Sequence, residues 1–378
     1  MIRCRRSPHA GPSRVVLEPR TKSVHPLQCA PLHQSAESPM DNTSQILERS
    51  AELFSGQRLL LVNPPADGLT RSLSADWTLW CWDYASSRGL AGALPEDRLV
   101  FSHLCPQVDD LDAAILVMPK AIERAEYALA QMLPLLAQGK PVYLVGEKKG
   151  GITRAEKLLG RYGAHPEKLD SARHCQLWRV IVDQPVAPFR LEDWRQQYEL
   201  RFDDQPLQLV SLPGVFSHGR LDEGSELLLA EQQALPAGRV LDFGCGSGVL
   251  SLVMARRNPG CRFELVDIDA LAIYCARQSL ALNGVAAEVH ASDGLSDVHG
   301  RFAAVISNPP FHTGIRQDTS IAERFFEQVT RNLQPGGELR IVANGFLRYP
   351  PLIEEHIGPC QVLRENNRFK VYSAVAPG

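Results

Sequence analysis

Short apolar runs recur along the chain, and stretches of helical length lie between them. In the second half the runs span 239–243, 262–266, 287–290, 302–307 and 338–343, and in the first half they span 58–62, 113–117 and 142–145. Runs this short and continuous are typical of parallel strands covered by helices on both faces. The pattern therefore predicts an α/β protein.

Helix-like segments fall between these strands. They span 121–136 in the first half and 249–257, 270–282 and 321–333 in the second. Pro134 lacks an amide proton, so it should shorten or kink the end of the first segment. The closing segment 368–375 alternates polar and apolar residues, which predicts an edge or antiparallel strand beside the parallel ones.

The two halves of the chain also resemble each other. Ala113-Ala114 and Met118 in the first half correspond to Ala303-Ala304 and Asn308 in the second, and further matches follow after several extra residues in the second half. We interpret this as two tandem Rossmann-like domains, each a parallel sheet with an antiparallel C-terminal strand, of which the N-terminal one is degenerate. Chance similarity between two α/β domains is the alternative.

Composition shifts along the chain predict the domain boundaries. Residues 1–39 hold six prolines and six Lys or Arg but two acids, which predicts a disordered tail or a mis-assigned start, with an RNA-tethering arm as the alternative. We expect a degenerate domain over 40–185, a proline-containing linker over 186–212 and the catalytic domain over 213–378.

Overall composition excludes several classes of protein. The chain is 44% hydrophobic and 22% charged with a net charge of −3, as expected of a soluble globular protein. No apolar run approaches the ~20 residues of a membrane span. The nine cysteines form no CxxC pair. The sequence thus predicts a cytoplasmic protein without a membrane anchor or a metal site.

A glycine-rich turn follows the strand predicted at 239–243. It reads Asp242-Phe-Gly244-Cys-Gly246-Ser-Gly248, and its GxGxG spacing differs from the GxGxxG of dinucleotide sites. Glycines let a ligand approach the backbone, and ligands of such folds bind at the carboxyl ends of the strands. Asp242 suits the ammonium group of a methionine moiety and would repel a pyrophosphate.

Acidic residues follow the next two strands. Asp267 is placed to accept both ribose hydroxyls of a nucleoside, and Asp293 is placed to accept from an adenine amino group. Each acid alone could be a helix cap, as we expect for Asp269. Acids and glycine turns at successive strand ends together predict a binding site for S-adenosylmethionine.

The segment Asn308-Pro309-Pro310-Phe311 follows the strand predicted at 302–307. The Asn308 side-chain oxygen and the Pro309 carbonyl could each accept one N–H of a planar amine, which would hold its nitrogen in line for methyl transfer. Phe311 offers a flat face for a flipped base. A plain Pro-Pro turn with a buried phenylalanine is the alternative.

Basic and imidazole side chains follow this segment. His312 could accept a proton, orient the acceptor or be structural. Several arginines, Arg316 foremost, could contact phosphates or lie on a solvated charged surface; the others are Arg324, Arg331, Arg340 and Arg348.

These motifs resemble the ribosomal RNA small subunit methyltransferase C family. Similar segments are 170–175, 212–217, 221–225, 242–248, 308–314, 336–344 and 368–372, and the resemblance runs from about Met40 to the end. It implies transfer of a methyl group to the N2 of a guanine in 16S rRNA, in the 30S subunit. It also implies that the N-terminal domain no longer binds cofactor and that Phe216, Leu221 and Asp222 lie in a segment over the cofactor. We expect a monomer.

Three other functions stay open on the sequence alone. A sister family with the same two-domain plan methylates guanine N2 in 23S rRNA. An Asn-Pro-Pro-aromatic segment also serves protein glutamine N-methylation, although the aromatic residue there is usually tyrosine and the N-terminal domain helical. The last alternative is an RNA-binding protein without activity, which the intact glycine turn and Asn308 disfavour.

Overall fold

Two α/β domains follow one another along the chain. The computed structural model describes residues 40–378 except 70–73, 75, 217–220, 232 and 310–314. For residues 315–319 it describes the backbone but not the side chains. The predicted tail 1–39 lies outside the described residues. The residues Pro39–Gly378 form one compact unit.

The N-terminal domain is a seven-stranded sheet with helices packed on it. Its strands are β1 (Leu59–Val62), β2 (Thr78–Cys81), β3 (Leu99–Phe101), β4 (Ala113–Val117), β5 (Pro141–Glu147), β6 (Glu167–Ala172) and β7 (Cys175–Ile181). Its helices are α1 (Asn42–Arg49), α2 (Tyr84–Leu90), α3 (Ile122–Met132) and α4 (Ala155–Leu159). The strand order is β3-β2-β1-β4-β5-β7-β6, and β7 runs antiparallel to both neighbours.

A β-hairpin lies in the segment that we predicted as the linker. It consists of β8 (Gln196–Phe202) and β9 (Gln205–Ser211). Leu207 and Leu209 of β9 are fully buried in the core of the second domain. The hairpin is therefore part of that domain's packing, and not merely a connection.

The C-terminal domain repeats the same architecture. Its strands are β10 (Arg239–Phe243), β11 (Arg262–Asp267), β12 (Ala287–Ala291), β13 (Phe302–Ser307), β14 (Leu333–Asn344), β15 (Gln361–Glu365) and β16 (Phe369–Val375). Its helices are α5 (Glu223–Ala230), α6 (Val249–Arg257), α7 (Ala270–Leu282), α8 (Ile315–Asn332) and α9 (Tyr349–His356). The order β12-β11-β10-β13-β14-β16-β15 matches that of the first sheet strand for strand.

The matching strand orders confirm the predicted pair of Rossmann-like domains. In both sheets the first five strands are parallel and the last pair is antiparallel. The central strands are buried on both faces; every residue of β1, β4 and β13 is buried. This is why these strands are apolar throughout and why their positions could be predicted from the sequence.

Neither role considered for Arg340, a phosphate contact or a place on a solvated charged surface, is correct, because Arg340 is fully buried in β14. Its guanidinium donates two hydrogen bonds to Glu338, at 2.7 and 2.9 Å, and a third to the carbonyl of Gln233 at 2.7 Å. Ser373 on β16 donates to the same carboxylate. A buried charge needs partners of this kind, so Arg340 joins β14, β16 and the segment before β10 and cannot reach a ligand.

The two domains exchange backbone hydrogen bonds. The Tyr84 amide donates to the Ile268 carbonyl, and the Ala270 amide donates to the Trp82 carbonyl, both at 2.9 Å. Residues of α7 complete a hydrophobic core that belongs mainly to the N-terminal domain. No helix in the described part of the chain is both long and apolar enough to cross a membrane.

Candidate active site

A cavity of about 550 Å³ opens at the carboxyl ends of the strands in the C-terminal sheet. The ends of β10, β11, β12 and β13 form its floor, and α8 contributes one wall. A volume of this size is typical of sites for small molecules and cofactors. No cluster of three or more side chains suited to a metal ion occurs within the described residues.

The glycine turn forms one side of this cavity. Gly244, Gly246 and Gly248 have φ values of 67°, 54° and 82°, in the left-handed region that side chains disfavour. Gly244 and Gly246 line the cavity, and a Cβ on Gly246 would meet no atom within 4 Å. Gly248 instead starts α6 and lies against Leu265 and Ala276. Two of the three glycines thus expose backbone to a ligand, and the third allows close packing beneath the turn.

Carboxylates converge on the same cavity from two strand ends. Asp267 is the last residue of β11, and Asp293 follows β12; both line the cavity, together with Asp269. The Gly246 amide donates to Asp267 at 2.9 Å, and the Asp269 amide donates to its other oxygen at 3.0 Å. Burial, followed by the charge of Asp269, raises the pKa of Asp267 to about 6. The Asp267 carboxylate is thus held in place by backbone donors.

Asp242 lies beneath the turn and not on the cavity wall. Its side chain is fully buried, and one carboxylate oxygen accepts from the Ser251 hydroxyl at 2.6 Å and from the Ser251 amide at 3.2 Å. The other oxygen has no partner among the described residues. Burial raises the pKa of Asp242 to about 7. This position does not support the direct ammonium contact that the sequence predicts.

Asn308 is held in one orientation at the end of β13. Its side-chain amide nitrogen donates to Asp222 and to Ser225, both at 3.0 Å. Because a carboxylate only accepts hydrogen bonds, the amide nitrogen must face Asp222. The amide oxygen then faces away from Asp222, and Asn308 lines the cavity. The arrangement fixes the orientation of the Asn308 side chain at the cavity edge.

Sequence reasoning missed the role of Asp222 and Ser225. Asp222 is the N-cap of α5, where it also accepts from the amides of Gly224 and Ser225 at 3.0 and 3.1 Å. The available signal was the acid followed by a glycine and a serine before an apolar run, a pattern that begins helices. Nothing in the sequence indicated that this cap would also hold Asn308, which is far away along the chain.

The remaining predicted site residues are distributed as follows. Phe311 and His312 lie outside the described residues, as does the side chain of Arg316. Arg324 lines the cavity from α8, while Arg331 forms an ion pair with Glu327 on the same helix. Phe216 lines the cavity and is 56% exposed. The cavity wall thus includes Arg324 and Phe216 beside the acids.

The corresponding strand ends of the N-terminal domain carry different residues. Met118 follows β4, where Asn308 follows β13 in the second domain; it is buried and packs against Gly146. Asn63 follows β1 and donates its side-chain amide to the Val117 carbonyl at 3.2 Å. These contacts hold the strand ends together, so Asn63-Pro64-Pro65 ends a strand and does not form a second copy of the acceptor segment.

Two family models match the chain. The model for the methyltransferase small domain N-terminal matches residues 44–198, and the model for the methyltransferase small domain matches residues 206–373. Together with the cavity and its glycine turn, they define the protein as a methyltransferase made of two tandem α/β domains.

Curated relatives identify the family. The ribosomal RNA small subunit methyltransferase C of Ectopseudomonas mendocina (strain ymp) is 48% identical over 335 residues, which cover 89% of this chain and 99% of that relative. The protein of the same name from Aeromonas hydrophila subsp. hydrophila is 44% identical over 338 residues, which cover 89% and 98%. The chain belongs to the ribosomal RNA small subunit methyltransferase C family, as the sequence motifs predicted.

A solved structure with the same two-domain fold is that of the T. thermophilus 16S rRNA N2 methyltransferase in complex with AdoMet and guanosine. Its TM-score is 0.74 at 24% identity, and the match covers 89% of this chain and 92% of that one. This likeness confirms the predicted fold, in which two Rossmann-like methyltransferase domains follow one another along the chain.

Proposed function

We propose that this enzyme transfers a methyl group from S-adenosylmethionine to the N2 of a guanine in 16S rRNA, with the 30S subunit as the substrate. The observation that carries the proposal is the fixed orientation of Asn308, which presents an amide oxygen at the edge of a cavity lined by carboxylates. A guanine N2 carries two N–H groups and a delocalised lone pair. It therefore needs acceptors that hold it more than it needs a strong base.

The residues of the cavity fit S-adenosylmethionine, which supplies an electrophilic methyl group when bound. Asp267 would accept the ribose hydroxyls, and Asp293 would accept from the adenine amino group. Ile268, Ala272 and Phe325 offer apolar surface to a purine ring. The backbone of Gly244 and Gly246 would lie against the methionine portion. Asp242 would hold the turn from beneath through its hydrogen bonds to Ser251, without touching the ammonium group.

Asn308 and Pro309 would position the acceptor. Pro309 is buried and its ring restricts the backbone, so its carbonyl is rigid. With Asn308 accepting one N–H and this carbonyl the other, the nitrogen lone pair would be directed into the cavity. An amide oxygen is a weak base, so Asn308 would orient the amine without taking its proton. Phe311 would stack on the base, with His312 and Arg316 near it.

Aromatic and basic side chains near this edge suit an RNA strand. Phe346, in the loop after β14, is 76% exposed, and Phe216 is exposed as well. Arg324 lies on the cavity wall, and Arg368 is held by Glu223 at 2.9 Å. Exposed aromatics bind unstacked bases, and arginines bind phosphates. We further propose that the enzyme acts as a monomer in the cytoplasm, where the subunits are assembled.

The test is methyl incorporation into defined substrates. The wild-type protein and Asn308→Ala are incubated with labelled S-adenosylmethionine and with unmethylated 30S subunits, 50S subunits or free 16S rRNA, and the product is mapped by mass spectrometry. We expect N2-methylguanosine in 30S subunits with the wild type alone, while both proteins bind cofactor within severalfold of each other. Label in 50S subunits only would indicate the sister activity, and no label with cofactor bound would indicate another acceptor.

A further inference from the structure

Two arginines of the N-terminal domain reach the acidic loops of the cofactor cavity. The first is Arg124 on α3, whose guanidinium forms an ion pair with Asp269 at 2.5 Å and donates to the Pro213 carbonyl at 3.4 Å. The same guanidinium lies over the ring of Trp82, 5.7 Å from its centroid. The Arg124 and Asp269 side chains are 15% and 19% exposed, so solvent screens this pair less than a surface ion pair.

Arg124 therefore touches two segments of the cavity wall. Asp269 and Ile268 lie at the end of β11, next to Asp267, and Pro213 precedes Gly214 and Phe216, which also line the cavity. A Cβ on Gly214 would come within 2.8 Å of the Arg124 side chain. The guanidinium thus fills the space between these two segments.

The second arginine is Arg88 on α2, which forms an ion pair with Asp297. Asp297 also accepts from the Asp293 amide at 3.4 Å. Arg88 thereby supports the loop after β12, which carries the second acid of the cavity. Its side chain is 38% exposed, so its effect should be smaller than that of Arg124.

The backbone reinforces this attachment. The hydrogen bonds between Trp82–Tyr84 and Ile268–Ala270 hold the loop after β11 against the N-terminal domain directly beside Asp267. A carboxylate that binds two hydroxyl groups depends on the position of its loop, because hydrogen bonds weaken steeply outside a narrow range of distance and angle.

We propose that the degenerate domain sets the affinity for cofactor, with Arg124 and Arg88 as positioning residues for the loops that bind the nucleoside. The proposal rests on the proposed function, because it concerns the same cavity. This role differs from a general contribution to folding. Because the two arginines contact the loops at the ends of β11 and β12, their loss should weaken the affinity for the nucleoside and leave the turnover of the saturated enzyme unchanged.

The experiment compares Arg124→Met with Arg124→Lys in the full-length protein. Methionine keeps apolar contact with Trp82 but removes the charge, whereas lysine keeps the charge. Arg161→Met is the matched control. Arg161 forms an ion pair at 2.6 Å with Glu126, which lies on α3 as Arg124 does, but Arg161 does not line the cavity. For each variant, calorimetry gives the Kd of S-adenosylmethionine and of S-adenosylhomocysteine, kinetics on 30S subunits give KM and kcat, and thermal melting follows the unbound protein.

We expect Arg124→Met to weaken both ligands by about tenfold, as loss of a partly buried charged contact would do. The KM for the cofactor should rise in step while kcat stays within about twofold. Arg124→Lys should recover part of the affinity, and Arg161→Met should bind as the wild type does. Wild-type affinity in Arg124→Met, or a loss confined to kcat or to the melting temperature, would overturn the proposal. A wild-type protein that binds neither ligand would overturn the proposed function as well.

Discussion

Replacement of Asp222 by alanine should impair catalysis more than it impairs folding. The wild-type carboxylate accepts from the Asn308 amide nitrogen and from the amides of Gly224 and Ser225. Without it, the remaining partner of the Asn308 amide among the described residues is the Ser225 hydroxyl. A hydroxyl can donate as well as accept. The Asn308 amide could then turn over and present its nitrogen, a donor, to the N–H groups of the substrate.

The size of each effect follows from the contacts that are lost. A hydrogen bond to a charged group contributes about 1.5–3 kcal/mol, and each 1.36 kcal/mol changes a rate about tenfold. We therefore expect kcat to fall roughly 10- to 100-fold. Loss of the N-cap should lower the free energy of unfolding by about 0.5–2 kcal/mol.

A second substitution separates these effects. Serine is also a good N-cap, but Asp222→Ser removes the obligatory acceptor beside Asn308. Its free energy of unfolding should stay close to that of the wild type while kcat falls as in Asp222→Ala. Single-turnover methylation of 30S subunits measures the rate, and chemical denaturation measures stability. Full activity in Asp222→Ala would refute the argument that Asp222 orients Asn308.

Three further predictions concern binding and stability. The Kd of S-adenosylmethionine, measured by calorimetry, should rise as the pH falls below about 6, because Asp267 then becomes protonated and loses acceptor capacity. Asp267→Asn should bind the cofactor weakly at every pH, without this dependence. Arg340→Met should lower the free energy of unfolding in urea by about 3–5 kcal/mol, since it leaves the Glu338 carboxylate buried without its charged partner. The double variant with Glu338→Leu should recover much of this loss, and an additive loss would contradict the account. Gly294→Ala should destabilise the loop after β12 and weaken cofactor binding, because φ at Gly294 is 58° and the new Cβ would lie 2.7 Å from the Gln328 side-chain oxygen. Gly260→Ala is the control because Gly260 has open space around it, and equal cofactor affinities in the two variants would contradict the prediction.

The unbound protein should also respond to pH through Asp267. A carboxyl group whose pKa is raised in the folded state binds its proton more tightly there than in the unfolded chain. Its contribution to stability is therefore full below the ordinary pKa of 3.8 and is lost as the pH rises through about 6. Urea denaturation without ligand should show a weaker decline over this range in Asp267→Asn; identical profiles would contradict the assigned pKa.

The buried parallel strands of the C-terminal domain were predictable from the sequence because both of their faces are covered. The bounds of β10 and β13 and of helices α6 and α7 agree with the predicted ones. In the N-terminal domain β2, β3, β6 and β7 were missed. The residues of β3 are all only half-buried and those of β6 are half-buried or exposed, so neither strand forms a continuous buried run. Elements of this kind are defined by their neighbours in the sheet.

Contacts between distant parts of the chain account for the other differences. The hairpin of β8 and β9 was missed because one of its strands is largely exposed and lacks a continuous apolar run. The sequence suggested that Arg340 is exposed because Glu338 and Arg340 are charged residues two positions apart on one face of a strand. Periodicity alone assigns such a face to solvent, whereas here the two side chains form a buried ion pair. Asp267 and Asp293 lie at the carboxyl ends of β11 and β12, where the sequence places them, but the position of Asp242 beneath the turn depends on its bond to Ser251.

The contact between the two domains obeys a local twofold symmetry. Asp83 after β2 and Asp269 after β11 occupy equivalent places in the two sheets, and each caps the helix that follows. From α2, Arg88 reaches the loop after β12, while from α7 Tyr274 stacks at 4.1 Å on His103 in the loop after β3. A symmetric contact of this kind closes on itself. Both copies of this surface are therefore buried against each other within one polypeptide, as the two subunits of a symmetric dimer would bury theirs.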